Sequence, residues 1–161
     1  MGAQRRMARL VGTVVVGGLA VAAVPSAAGA ATQGAEHFRL VFSSQTAPGA
    51  IFASGVFSAG GTDYQGNRTD EAAFPDGAFA IRHGAIHPTF TFNAKTCTGH
   101  LSGSGPYRLS NGFGAYEKIK STGTAHLQGS LATGRNPNGT CNFHDETAYS
   151  LLVVASGPVS F

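Results

Sequence analysis

The stretch GSGPYRLSNGFGAY, Gly103 to Tyr116, decides the fold. Gly99, Gly103 and Gly105 space a strand that begins at Cys97 and runs through Tyr107 to Leu109. Ser110-Asn111-Gly112 then gives a hairpin signal, because Asn-Gly readily adopts the positive-φ conformations of a tight type I′ turn. Gly114-Ala115-Tyr116 follows, and Tyr116 to Ser130 supplies one or two further strands, broken near Gly123. Glycine at this density has no place in a helix interior, where it costs conformational entropy. It belongs instead to short strands that turn tightly and pack closely.

Outward from this centre the same pattern repeats. Glu36 to Ser43 alternates, with Phe38, Leu40 and Phe42 on one face and His37, Arg39 and Val41 on the other, as in a half-buried strand. Ala50 to Ala59 carries Ile51, Phe52, Val56 and Phe57 around Gly55, which marks a bulge or bend. Gly60 to Glu71 is polar and turn-rich and reads as a long loop with room for a short strand. Pro75-Asp76-Gly77 turns into Ala78 to His83, and Gly84 turns again into Ile86 to Ala94, which reads as an antiparallel hairpin. Arg135 to Gly139 is a loop of Pro, Gly and Asn. Asn142 to Ser156 is the longest apolar strand, Gly157-Pro158 ends or bends it, and Val159 to Phe161 forms a short edge strand. Seven or eight strands without an amphipathic helix predict an all-β fold: a small antiparallel β-barrel of about eight strands, with a β-sandwich as the alternative. Closure favours the barrel, since it removes the free edges on which a sheet so poor in charge would aggregate.

The N-terminus reads as an export signal. Arg5, Arg6 and Arg9 precede an uncharged run from Leu10 to Val24, Pro25-Ser26 break it, and Ala28-Gly29-Ala30 offers small residues for cleavage after Ala30. This divides the chain into a signal peptide, residues 1–30, and a single β-barrel domain, residues 31–161. The apolar run is short for a membrane span of about 20 residues, so the mature chain is expected to carry no span and to be secreted. The charge argument changes with it. The chain has 11 Lys and Arg against 8 Asp and Glu, a formal charge of +3, and those three arginines account for the whole excess. A neutral mature chain gives no bulk electrostatic case for nucleic acid or an anionic membrane as partner.

Cys97 and Cys141 are the two cysteines. In an exported chain they are expected to form a disulfide. The alternative, a redox or nucleophilic thiol, lacks a C-x-x-C neighbour. By loop entropy the bond is worth about 4 kcal/mol.

The sequence from Gly103 to Tyr116, continuing to Ser121-Thr122-Gly123-Thr124, resembles the hairpin of allene oxide cyclase-like and dirigent-like barrels and of exported actinobacterial β proteins. There a G-x-G-x-Y strand leads into a glycine-rich turn and a second glycine-spaced strand. The resemblance covers about a quarter of the mature chain and implies a barrel. Its glycines are structural, Asn111 stands where the pattern more often has Gly, and no catalytic residue carries over.

Candidate sites are few. His126 shares a face with Thr124 and Gln128, opposite Ala125 and Leu127. If that polar face lines a lumen, His126 and Gln128 with Tyr107 make a small-molecule site; otherwise it is ordinary surface. His100, on the neighbouring strand, is weighed the same way. His144-Asp145-Glu146 is the densest polar cluster, but strand parity sends Asp145 away from the other two. His83 and His87 would meet on a helix, yet Gly84 and Pro88 argue against one, and along a strand they stand about 13 Å apart. No metal site and no cofactor are expected. The glycine pairs lack a P-loop lysine, and no G-x-S-x-G elbow is present. Asn67-Arg68-Thr69 and Asn138-Gly139-Thr140 match glycosylation acceptors in predicted loops. Phe113 and Tyr116 could form an exposed aromatic pair or pack back on the sheet.

Two functions fit. One is a non-enzymatic barrel that binds a small hydrophobic molecule or a cell-envelope component. The other is a cyclase-like or dirigent-like enzyme that works on a small hydrophobic substrate in the lumen.

Overall fold

A computed structural model of the chain describes residues 33–161, and the expected signal peptide lies outside them. Nine strands follow one another: β1 (Gln33–Phe42), β2 (Gly49–Gly55), β3 (Ala59–Tyr64), β4 (Thr69–Phe74), β5 (Gly77–His83), β6 (Thr89–Asn93), β7 (Thr98–Gly114), β8 (Lys120–Arg135) and β9 (Cys141–Ser160). The described residues contain no helix. The pairing order β5-β4-β3-β2-β1-β9-β8-β7 closes on itself through β5 and β7, and every pairing is antiparallel. Eight strands thus form a closed barrel, and β6 is an extra strand on β7. The barrel expectation holds, and the continuous ring of pairing leaves no room for two separate sheets.

The hairpin drawn at Asn111-Gly112 is different. Strand β7 runs straight through both residues, and the turn to β8 comes later, at 115–119. Asn111 does adopt the positive φ that its side chain tolerates, 53°. Its consequence is a bulge. Ala78 pairs with Phe113 and Ala80 with Ser110, so Asn111 and Gly112 together stand opposite Phe79.

The hairpin expected at Gly84 is also absent. β5 and β6 do not pair with each other; both pair with β7, at its two halves. They lie in line, and residues 84–88 step off that line onto the inner side of β7. The segment sits against Gly103 and Gly105: a Cβ at Gly105 would come within 2.9 Å of the Ala85 carbonyl and Ile86, and one at Gly103 within 3.2 Å of the Pro88 Cα.

Gly60 to Glu71 proves to be mostly strand: the bulk of β3, a turn at 65–68 and the start of β4. Its inward positions are Gly61 and Asp63, which hide the hydrophobic alternation. Two apparent breaks are not breaks. β8 is continuous through Gly123, and β9 continues through Gly157-Pro158, with Pro158 paired to Ala35. Val159 is therefore an interior position rather than part of a short edge strand.

The disulfide is as expected: Cys97 and Cys141 are bonded, with Cα atoms 5.5 Å apart. It joins the segment before β7 to the start of β9, across the last residues of β8. This pins the part of β7, β8 and β9 that projects beyond the barrel.

The two ends of the lumen differ. At the end where β1 begins, the turns β2–β3, β4–β5 and β7–β8 fold inward. Phe57, Phe74, Phe79, Tyr116 and Phe161 pack there ring on ring at centroid distances of 5.0 to 6.5 Å. Edge and tilted contacts of this kind add to the area each ring buries. At the other end the side chains leave a cavity.

Candidate functional site

The cavity is the lumen itself. It has a volume of about 260 Å³. Its wall is made by alternate residues of the strands that face inward: Leu40 and Phe42 from β1, Leu127 from β8, Leu151 and Val153 from β9, and Leu109 from β7. The polar groups gather on one side of the mouth. Gln65 and Gly66 come from the β3–β4 turn, Asp70 from β4 and His83 from the end of β5, while Ile86 of the inward-stepping segment forms the adjoining rim.

These polar residues are held in place locally. The Gly66 N–H donates to Asp70 Oδ1 at 2.8 Å, which fixes the turn on its own strand. The His83 N–H donates to the Arg68 carbonyl at 3.2 Å. Asp70 Oδ1 then stands 3.7 Å from His83 Nε2, an ion-pair distance but longer than a good hydrogen bond. Next to Asp70 on the neighbouring strand is Asp63. It is fully buried, and neither of its oxygens has a hydrogen-bond partner. Burial first, and the charge of Asp70 second, push its carboxyl up to about 7.

Deeper in the lumen lies Tyr107. Its hydroxyl is 3.5 Å from Ser121 Oγ and is packed against Gly123 and Gly157, where a Cβ would approach it to 2.9 and 3.0 Å. Burial raises the tyrosine's pKa, Ser121 opposes the rise and Glu36 adds to it. Glu36 is fully buried at the closed end. One of its oxygens accepts the Phe57 N–H at 3.0 Å and so ties down the β2–β3 turn; the other has no partner.

Of the three residues proposed from the sequence, only Tyr107 faces the lumen. His126 and Gln128 are exposed on the outside of β8, paired across to Ser104 and Val154 and to Ser102 and Leu152. The period of two sends Ala125 and Leu127 inward in their place. The three are therefore not brought together. His100 is likewise outward. His83 turns into the mouth towards Asp70 while His87 is exposed on the 84–88 segment, and among the described residues no three metal-ligating side chains converge. His144, Asp145 and Glu146 are exposed on an irregular part of β9, where Glu146 accepts from the Gln45 amide. Phe113 and Tyr116 part company: Phe113 is exposed, and Tyr116 joins the aromatic end.

Glu36, Asp63 and Asp70 did not stand out in the sequence. Parity carried a signal for Glu36, which lies two residues before Phe38 on the face of Phe38, Leu40 and Phe42. Asp70 similarly shares a face with Ala72 and Phe74. A charge on the apolar parity of a strand is the mark of a buried acid.

Compared with protein-family models, curated proteins and solved structures, the chain matches none. The reading of the site therefore rests on its geometry.

Proposed function

We propose that the protein is an exported barrel that takes up a small hydrophobic molecule in its lumen without transforming it. One observation carries this: a largely apolar cavity of about 260 Å³ in the barrel lumen, open at a polar mouth. Natural interiors seldom leave such space, because a void forfeits the dispersion contacts of its lining. An apolar cavity of about 150 Å³ is enough to hold benzene, so this one suits a molecule of one or two rings. Export is supported by the basic, then apolar, then small-residue order of the N-terminus and by the Cys97–Cys141 bond.

Calorimetric titration with naphthalene tests the binding. Saturable binding is expected, and it should be lost in Ala125→Phe, whose ring would occupy the lumen. A titration that shows no heat beyond dilution and no shift in melting temperature would count against the proposal. Intact mass of the secreted protein tests export: the expected product starts after Ala30 and lacks two hydrogens for the disulfide.

The inward carboxylates favour a second reading, an enzyme resembling the allene oxide cyclase-like or dirigent-like barrels. Asp70 and His83 stand where a proton could be moved at the polar end of a bound substrate. That activity would appear as exchange of solvent deuterium into a bound ligand, lost in Asp70→Asn. Binding without exchange leaves the carrier.

A further inference from the structure

The charges inside the barrel are one-sided. Every lysine and arginine of the described residues is exposed. The ionisable groups turned inward are Glu36, Asp63, Asp70, His83 and tyrosines. Asp63 is buried with both oxygens unpartnered, and Asp70 has one backbone donor and an imidazole too distant for a good hydrogen bond. Buried carboxylates are ordinarily matched by donors or cations, and an unmatched one carries its full desolvation cost. The carboxylate at the mouth, Asp70, thus has no cation within good hydrogen-bond distance and the buried Asp63 behind it has no partner, while the rest of the cavity wall is apolar.

We infer that the ligand is a small apolar molecule bearing a protonated amine, lodged with its ammonium group beside Asp70 and its body against Phe42, Leu127 and Leu151. This rests on the reading of the lumen as a binding cavity. An uncharged hydrocarbon would leave the carboxylates as they are. A hydroxyl would supply one donor and no charge. A carboxylate, as in a fatty acid, would meet Asp70 with like charge in a medium of low dielectric. An ammonium group supplies three donors and the missing charge. It also has room, since the acids lie on one side of the mouth and the opposite wall is free to receive the hydrocarbon.

The test uses the secreted protein and four probes with a common body: naphthalene, naphthylmethylamine, naphthylmethanol and naphthoate. Each is titrated calorimetrically at pH 7.5. The amine is expected to bind about tenfold or more tighter than naphthalene, as a charge-assisted hydrogen bond requires. The alcohol should fall between them and naphthoate should be weakest. In Asp70→Asn the ratio of amine to naphthalene affinity should collapse towards one. Asp63→Asn, which leaves the bond from Gly66 to Asp70 in place, should reduce that ratio less and serves if the first variant does not fold. An amine no tighter than naphthalene or the alcohol, or naphthoate as the tightest probe, overturns the inference while leaving the cavity's function intact. Failure of all four to bind overturns both.

Discussion

The two ends of the lumen solve the same problem differently. Each has a fully buried acid on the inner face of the barrel. At the closed end Glu36 spends one oxygen on the Phe57 N–H, and five aromatic rings fill the space around it. At the open end Asp63 has no partner at all, and the space beside Asp70 and His83 is cavity. A buried carboxylate with a backbone donor is a structural strap. One without a donor costs stability, and the proposed ligand sits at the end where that cost goes uncompensated.

Mutation at each end would break or sharpen this contrast. Phe79 is buried at the closed end and touches Phe38, Phe57, Phe74 and Tyr116. Phe79→Ala should cost about 5 kcal/mol in urea denaturation, at the upper end for such a change. Leu151→Ala, at the open end, should cost only about 2 kcal/mol, because its side chain already borders empty space. Equal losses would mean that the two ends are packed alike.

Asp63 gives the next effect, through pH. Its carboxyl holds a proton up to about 7 in the folded chain, against an ordinary value of 3.8. Between those values the folded state binds the proton and the unfolded state does not. Stability should therefore fall as pH rises from 4 to 7, by about 4 kcal/mol from this group at most, and level off above 7. Asp63→Asn should remove that slope and be more stable than the parent at pH 8. A parent whose stability rises steadily from pH 4 to 7, unchanged by the substitution, would show that Asp63 is not the unmatched acid described here. The strap gives a further effect. Glu36→Ala strands the Phe57 N–H and should cost about 1 to 3 kcal/mol, whereas Glu36→Gln keeps an acceptor and should cost less.

The sequence made the barrel legible because most of its strands obey a period of two. Phe38, Leu40 and Phe42 announce β1, and the run from Leu151 to Ala155 announces the part of β9 that β1 covers. Connections were harder. Asn111-Gly112 has the chemistry of a hairpin turn, but opposite Phe79 the same positive φ absorbs an extra residue within a long strand, and only the pairing partner decides between the two. Gly84 turns the chain without creating a hairpin, because β7 is long enough to receive β5 and β6 one after the other. The site was least legible. Tyr107 faces the lumen, whereas the polarity of His126 and Gln128 fits a lumen or an outer surface equally, and this lumen is walled by their apolar neighbours. Asp63 and Asp70 lay within a stretch read as loop, since glycine and a buried acid occupy the positions where β3 would otherwise show its hydrophobic face.

The central claim, that the lumen holds an apolar space able to receive a ligand, can be tested directly by diffraction from a crystal pressurised with xenon. The account predicts xenon density inside the barrel, in contact with Phe42, Leu127 and Leu151, as apolar cavities admit it. A lumen filled by ordered water, or collapsed with those side chains in mutual contact and no xenon, would contradict it.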